Sequence, residues 1–310
     1  MDPEISGVIC TWNRRASLEG SLGGLLRQSL ARERYEILLV DNGSTDGTRE
    51  WALERAAGAR NFRYLYEGRV CKSHAANLGW QAARGSVVAY LDDDTLPDPA
   101  WLERLLERFQ AHDRSLGAVG GRVVPAWEAP PPEWLEPRLL EYLSLLDLAA
   151  EDIELGPGQS LVGANMAFRR QVLAELDGFD PRLDRRGALL LSGGETLLER
   201  RLEAAGYRRL YTPAALVQHV IPTERMNRDW FRRRFYWAGV SAVFMDEILK
   251  PPPETFRHRA GLLAWCCRRT IAMAWHALRR RPQGFVEELE RWRRRGVLAG
   301  QWRLVLGRTE

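Results

Sequence analysis

Three consecutive carboxylates are the residues whose types and spacing most clearly point to chemistry. Asp92, Asp93 and Asp94 follow directly on the apolar run 87–91. Adjacent carboxylates repel one another unless a cation is present, and oxygen-rich clusters of this kind suit Mg²⁺ or Mn²⁺ shared with substrate phosphates. The triplet therefore predicts a divalent-cation site that serves a phosphorylated ligand.

The flanking segments indicate where the triplet lies in the fold. The run 87–91 is uncharged and contains β-branched and aromatic residues, which is typical of a buried strand, and Asp98 and Pro99 then favour the start of a helix. A second predicted strand, 36–40, also ends in an acid, Asp41. Such an Asp is usually only a helix cap when it stands alone. Because open α/β sheets bind ligands at the carboxyl ends of their strands, both acids together predict one shared crevice.

Strand and helix patterns alternate along the first hundred residues. Strands are predicted at 5–10, 36–40, 62–66 and 86–91, and helices at 15–29, 48–57 and 73–84. This alternation predicts a mostly parallel sheet covered by helices, an α/β fold.

The rest of the chain follows a different pattern. Strand-like pieces at 120–124, 163–168 and 209–219 and a helix at 195–205 are separated by turns and by a Pro-rich loop that carries Trp127 and Trp134. That loop is either a rigid connector or a loop that borders the substrate site. Beyond about residue 225 only helical patterns occur, at 227–248, 256–280 and 284–304.

Composition limits the class of protein. The chain has 310 residues, 45% of them hydrophobic and 28% charged, as in soluble globular proteins. Its four cysteines show no metal-ligand spacing, which favours a reducing compartment. The amino terminus lacks the pattern of a signal peptide, and no run of about 18 uncharged apolar residues predicts a transmembrane helix. We therefore expect a cytoplasmic protein.

The charge is unevenly distributed. Residues 225–310 contain 19 Lys+Arg against 8 Asp+Glu and six of the twelve tryptophans, although the whole chain carries only +4. Basic helices with tryptophan suit an anionic membrane surface, here the inner face of the cell membrane, but they can equally form an Arg-decorated subdomain. Nucleic acid is not expected as a partner, because no recognised binding motif accompanies the charge.

Seven segments together resemble family 2 glycosyltransferases with the GT-A fold. They are VICTWNR at 8–14, ILLVDNGSTDGT at 37–48, KSHAANLG at 72–79, AYLDDDTLP at 89–97, GANMAFRR at 163–170, GFD at 178–180 and SGGET at 192–196. The resemblance covers roughly residues 4–222. It implies a Rossmann-like mixed sheet flanked by helices in a catalytic domain 1–224, with a nucleotide-sugar half 1–115 and an acceptor half 116–224. Residues 225–310 would then form a basic, Trp-rich helical extension.

The resemblance also implies roles for residues at the strand ends. Thr11, Asn13 and Asp41 match positions that cradle the base and ribose of a nucleoside-diphosphate sugar, most often a UDP sugar, and Lys72 matches a basic residue that meets the diphosphate. Asp92 is expected near the ribose and Asp94 on the metal. The positions assigned to donor binding are Thr11, Asn13, Arg14, Asp41, Lys72, Asn77, Asp92 and Asp93. A Lys ammonium suits phosphate, although Lys72 could also be a solvated surface residue, and Asp93 could turn away.

Further positions match the metal and acceptor sites of relatives. His219 ends its predicted strand in a pattern that sometimes supplies a metal or diphosphate ligand, and imidazole is acceptable to Mn²⁺, although a lone His is often a packing residue. Trp127, Asn165 and Met166 lie where relatives bind the acceptor, but packing explains the tryptophan equally well.

The resemblance departs from the family pattern at the catalytic base. Relatives usually carry Glu-Asp before a helix that ends in Arg-Leu, and the Asp deprotonates the acceptor hydroxyl. Counting back from Arg201 and Leu202 places Glu195 at the Asp position, whereas counting forward from the glycines places Thr196 there, and Thr is not a credible base. We take Glu195 as the base, although it could also be a helix-terminus charge.

The residues and the resemblance together imply a metal-dependent glycosyltransferase that uses Mn²⁺ or Mg²⁺ and a glycan or lipid-linked acceptor. That it is inverting is implied by the resemblance to family 2 alone. Two alternatives stay open. One is a non-catalytic sugar-nucleotide-binding or scaffold protein, which the irregular segment before Thr196 would suit. The other is a nucleotidyltransferase, whose products would contain the nucleoside monophosphate.

Overall fold

A computed structural model describes residues 2–184, 190–250, 261, 263–264, 267–271 and 282–306. The strands are β1 (Ile5–Thr11), β2 (Tyr35–Asp41), β3 (Phe62–Tyr66), β4 (Val87–Asp92), β5 (Thr95–Pro97), β6 (Leu116–Trp127), β7 (Ile153–Glu154), β8 (Asn165–Arg169) and β9 (Arg208–Ile221). The helices are α1 (Leu18–Leu26), α2 (Thr48–Arg55), α3 (Lys72–Ala82), α4 (Trp101–Ala111), α5 (Arg170–Glu175), α6 (Gly194–Ala204), α7 (Arg228–Leu249) and α8 (Phe285–Val305). Short 3₁₀ helices lie at Arg32–Arg34, Pro137–Leu143, Pro181–Leu183 and Thr223–Arg225.

The strands form one mixed sheet in the order β3-β2-β1-β4-β8-β6-β9-β5, with β7 paired to β9. The first four strands in this order are parallel, β8 runs antiparallel to both of its neighbours, and β6 and β9 are parallel to each other. The predicted mixed α/β sheet is therefore confirmed. The sequence prediction missed β5 and β7, which have only three and two residues.

The central strands are buried because helices cover both faces of a parallel sheet. Every residue of β2 is buried, although Glu36 and Asp41 are charged. On α4 the buried residues recur at helical spacing, which gives the helix an apolar face toward the sheet; they are Trp101, Leu102, Leu105, Leu106 and Phe109. The core thus fixes the strands and leaves their carboxyl ends to carry polar groups.

The described chain groups into two units. The first comprises 1–131, 135–181 and 194–223 and contains the sheet; the second comprises 132–134, 182–193 and 224–310. The predicted extension 225–310 falls within the second unit. Its predicted helices 227–248 and 284–304 correspond to α7 and α8, whereas most of the helix predicted at 256–280 lies outside the described residues.

Within the second unit, two glycines let α7 and α8 approach closely. A Cβ on Gly296 would lie 1.8 Å from the carbonyl oxygen of Tyr236, and one on Gly239 would lie 2.1 Å from that of Arg293. Arg232 also pairs with Glu288 across the two helices at 2.6 Å. In the part of the chain that is described, no helix combines the length and apolar character needed to cross a membrane.

Candidate active site

Three neighbouring parallel strands place the predicted acids at the same end of the sheet, with β1 lying between β2 and β4. In the register of β1 with its neighbours, Thr11 lies opposite Asp41 of β2, and Cys10 lies opposite Asp92 of β4. Both acids therefore lie at the same edge of the sheet, as expected for a ligand crevice.

Lys72 joins the first acid of the triplet to the residue expected as the base. Its Nζ donates to Oδ1 of Asp92 at 2.9 Å and to Oε1 of Glu195 at 3.1 Å. Lys72 is the first residue of α3 and Glu195 is the second of α6, so two helix starts converge here. Partial loss of solvent around the ammonium acts to lower the pKa of Lys72, but the two carboxylates raise that pKa well above its ordinary value, although 46% of the side chain is exposed. The ammonium is therefore charged at neutral pH.

Arg14 and Thr11 hold the other two acids of the triplet. Nη1 of Arg14 donates to Asp93 at 2.9 Å and to Asp94 at 2.8 Å, and the Thr11 hydroxyl donates to the second oxygen of Asp93 at 2.8 Å. Burial raises the pKa of Asp93 to about 6; Arg14 opposes this effect, whereas Asp94 and Asp92 add to it. Asp93 thus faces Thr11 and Arg14 and does not turn away.

His219 is oriented toward the third acid. Its Nδ1 lies 2.9 Å from the carbonyl oxygen of Leu143, and its Nε2 lies 3.2 Å from Oδ1 of Asp94. Since the carbonyl can only accept, Nδ1 donates to Leu143, and Nε2 is the ring nitrogen that faces Asp94. The pairing of β5 with β9 sets this arrangement, because Thr95 lies opposite His219.

The imidazole and carboxylate are donor types that Mn²⁺ accepts, and Mg²⁺ is bound mainly by carboxylates together with substrate phosphates. Among the described residues, no three His, Cys, Asp or Glu side chains are grouped so as to hold a metal on their own. Asp94 and His219 therefore fit a cation that takes its remaining ligands from a bound substrate, not one enclosed by protein.

Asp41 lies beside a cavity of about 410 Å³. One of its oxygens accepts from the backbone of Ser44 at 2.8 Å, and the other accepts from the hydroxyl of Tyr64 at 2.6 Å. Asn13, at a φ of 52°, accepts from the backbone of Thr45 at 2.7 Å. The cavity is lined by Asp41, Ser44, Thr45, Gly47, Thr48, Arg49, Glu50, Tyr64 and Tyr66. The loop after β2 is thus fixed by the residues expected to cradle the nucleoside.

Other candidate residues have structural contacts instead. The Asn77 amide donates to the carbonyl of Phe179 and accepts from the amide of Phe179 and the indole of Trp80, at 2.8–3.0 Å. Asn165 and Met166 are 0% and 2% exposed, so neither presents its side chain to an acceptor in this structure. Trp127, at the end of β6, is partly exposed.

Three residues near the site were not predicted. The hydroxyl of Tyr64 on β3 donates a hydrogen bond to Asp41. Glu199 on α6 forms an ion pair with Arg209 on β9 at 3.2 Å. Burial raises the pKa of Glu199 to about 7, although the amide of Leu161 and the Arg209 guanidinium oppose the shift. Of these residues, Glu199 could have been found from the sequence, because it is a charged residue among the apolar, buried positions of α6.

Comparison with known proteins agrees with this fold and identifies the family. The chain matches the model of glycosyl transferase family 2 over residues 6–177, more than half of its length, and it belongs to that family. It is 31% identical over 175 residues to a glucosyl-dolichyl phosphate glucuronosyltransferase of Haloferax volcanii, and these cover 56% of this chain and 55% of the relative. It is 34% identical over 122 residues to the glycosyltransferase AglE of the same organism, covering 39% and 40% of the two chains. The chain therefore spans about half the length, or less, of these relatives.

Solved structures share the fold at low sequence identity. The mannosyltransferase PcManGT of Pyrobaculum calidifontis, in complex with GDP-Man and Mn²⁺, has a TM-score of 0.58 at 21% identity, covering 99% of this chain and 87% of the other. GalNAc-T7 with UDP, GalNAc and Mn²⁺ has a TM-score of 0.56 at 18% identity, covering 78% and 51%. The GT-A fold and the family expected from the sequence are confirmed.

Proposed function

We propose that this protein transfers a sugar from a nucleoside-diphosphate sugar to an acceptor hydroxyl. The observation that carries the proposal is the contact of Lys72 with both Asp92 and Glu195 at the ends of the parallel strands. The contact supports the proposal because a charge suited to phosphate lies between Asp92 and a carboxylate that could accept a proton.

The donor would lie along the strand ends. Thr11, Asn13 and Asp41 would contact the nucleoside, Asp92 the ribose, and Lys72 the diphosphate. A UDP sugar is the donor expected from the family, while the complex of PcManGT supports GDP-mannose as a second probe.

Asp94 and His219 would hold the divalent cation, Mn²⁺ or Mg²⁺, together with the donor. When bound, the cation offsets the negative charge that the departing diphosphate gains as the glycosyl bond breaks. Arg14 contacts Asp93 and the Asp94 oxygen that does not face His219, so it neutralises part of the acidic triplet within the protein.

Glu195 would act as the general base. The acceptor oxygen forms a bond to the anomeric carbon while the bond from that carbon to the diphosphate breaks, and Glu195 takes the hydroxyl proton. Direct displacement inverts the anomeric configuration. Lys72 supports this role because its positive charge keeps the neighbouring carboxylate ionised before the proton arrives.

A lipid-linked or glycan acceptor fits the relatives, one of which is named for glucosyl-dolichyl phosphate.

The basic second unit would hold the protein at an anionic membrane surface, the inner face of the cell membrane. The exposed residues Arg268 and Arg269 give a direct test: replacing both with Glu is expected to reduce sedimentation with phosphatidylserine vesicles. Arg104→Glu, on the first unit, serves as a control, and sedimentation unaffected by the double change would contradict the membrane proposal.

A panel of donors tests the proposed function. Thermal unfolding is measured with UDP, GDP and their common sugars, with and without Mn²⁺; a ligand at 100 times its Kd stabilises by about 2.7 kcal/mol. We expect nucleotides of one base, either uridine or guanosine, to stabilise the protein, and Mn²⁺ to increase that stabilisation. The reaction should release the nucleoside diphosphate. Release of a monophosphate would instead identify a nucleotidyltransferase, and binding without any turnover would identify a non-catalytic binding protein.

A further inference from the structure

A buried ion pair lies outside the donor and metal residues described above. Glu199 is fully buried, Arg209 is 3% exposed, and Oε1 of Glu199 has no hydrogen-bond partner among the described residues. Replacing such a pair with apolar side chains of similar volume is often neutral or stabilising. Stability alone therefore does not account for the pair, whose other contacts indicate what it holds.

The pair fixes the loop that joins β7 to β8. Arg209 donates to the carbonyl oxygens of Gln159 at 2.7 Å and Gly156 at 3.2 Å. Glu199 accepts from the backbone amide of Leu161 at 3.0 Å. Three backbone points of the loop are thus tied to one ion pair, which restricts the conformations that the loop can adopt.

The far end of the same loop bounds the side chain of Glu195. A Cβ on Gly163 would lie 2.6 Å from Oε1 and 3.1 Å from Cδ of Glu195, so the carboxylate lies directly against the backbone of Gly163. Glu195 and Glu199 are one helical turn apart on α6 and therefore lie on the same face of the helix. The loop is bound to Glu199 at one turn of α6, and its backbone at Gly163 confines the Glu195 carboxylate at the preceding turn.

We propose that Glu199 and Arg209 are positioning residues for Glu195. By fixing the loop against α6, the pair keeps the Gly163 backbone against the Glu195 carboxylate and so holds that carboxylate within reach of Lys72. The consequence for catalysis rests on the proposed role of Glu195 as the base. The arrangement of the loop does not depend on that role.

The first test compares two buried glutamates. Glu199→Gln keeps the size of the side chain but removes the charge that pairs with Arg209. Glu36→Gln is the matched control, because Glu36 is also buried and paired, at 3.0 Å, with Arg63, but lies at the opposite end of β2 from Asp41. The rate of nucleoside-diphosphate release from UDP-glucose and GDP-mannose is measured with water as the probe acceptor.

We expect Glu199→Gln to lower kcat by about 10- to 100-fold, as misplacing a catalytic group does, with the donor KM unchanged. Glu36→Gln should change neither constant. In the Glu195→Gln background, Glu199→Gln should have no further effect, because it acts through the missing carboxylate. Equal losses in both backgrounds would overturn the inference.

Two further measurements separate positioning from folding and from the proposed chemistry. The double variant Glu199→Leu with Arg209→Met should still unfold cooperatively, at a lower Tm because three backbone groups of the loop lose their partners, and should lose kcat when assayed well below that Tm. Amide hydrogen exchange of residues 156–163 should rise in Glu199→Gln and not in Glu36→Gln. Release of nucleoside diphosphate by Glu195→Gln at the wild-type rate would refute Glu195 as the base, and the hydrogen-exchange data would still test how the loop is held. Unchanged hydrogen exchange of residues 156–163 in Glu199→Gln would overturn the positioning role of the ion pair.

Discussion

The Nζ atom of Lys72 lies 3.1 Å from Oε1 of Glu195, across 123 residues of sequence. The same atom lies 2.9 Å from Asp92, so one ammonium group joins the proposed donor-binding acid and the proposed base. Because the two carboxylates raise the pKa of Lys72, the side chain stays protonated and can serve as a phosphate contact beside Glu195.

Replacing Lys72 with Met removes the charge and keeps an unbranched side chain. Losing a charged hydrogen bond costs about 1.5–3 kcal/mol, so we expect kcat/KM for the donor to fall about 10- to 150-fold. The Kd of the nucleoside diphosphate should rise as well. Lys250→Met is the matched control, since Lys250 is the other lysine of the chain and is exposed. An unchanged Kd in Lys72→Met would show that the ammonium does not contact the diphosphate.

Asp94→Asn is expected to abolish the part of the nucleotide-induced thermal shift that depends on Mn²⁺. The carboxylate would supply the anionic oxygen ligand of the cation beside the imidazole of His219, and an amide is a poor substitute. Tm is measured with nucleoside diphosphate, with and without Mn²⁺. Asp113→Asn, a surface change with 75% side-chain exposure, controls for lost charge. A Mn²⁺ shift of wild-type size in Asp94→Asn would remove Asp94 from the metal site.

Glu199 predicts a measurable pH dependence of stability. Burial raises its pKa in the folded protein to about 7, above the ordinary 4.5. A raised carboxyl pKa contributes stability that is fully present below about 4.5 and is lost as the pH rises through 7. Relative to Glu199→Gln, the wild-type protein should therefore lose up to about 3 kcal/mol of unfolding free energy over this window. Urea unfolding at several pH values measures it, and parallel curves for the two proteins would contradict the assignment.

Gly163→Ala should reduce transfer without unfolding the protein. The added Cβ meets the end of a flexible side chain, Glu195, which can move away at a small cost in stability. We expect a loss of at least about tenfold in kcat with unchanged donor binding, because the displaced carboxylate leaves its position. Gly156→Ala, in the same loop, is the control, since its Cβ would meet only Gln159 at 3.6 Å. Equal rates for both variants would mean that the Gly163 contact does not constrain Glu195.

The first half of the fold follows from local patterns. Apolar runs ending in Asp41 and Asp92 predict parallel strands, and parallel strands place both acids at one edge, as the register shows. Counting back from Arg201 predicts Glu195 as the base; the structure places it 3.1 Å from Lys72, and its role stays a prediction. Local sequence is sufficient to predict the fold in the first half of the chain, where strands and helices alternate.

Long-range polar contacts could not be predicted in this way. Asn165 looks like a ligand in the sequence, but it accepts from the indole of Trp101 and donates to the carbonyls of Arg122 and Ala215 inside the core. The Glu199–Arg209 pair depends on how α6 meets β9, which no local periodicity specifies. Short strands such as β7 have too few residues to show a pattern.

The most direct test of the proposed mechanism is the transfer rate of Glu195→Gln measured beside its donor affinity. Loss of a general base lowers the rate by about 10²- to 10⁴-fold. We predict a loss of this size, with the thermal shift by nucleoside diphosphate and Mn²⁺ unchanged from wild type. Transfer by Glu195→Gln at the wild-type rate would contradict the central claim that this carboxylate activates the acceptor.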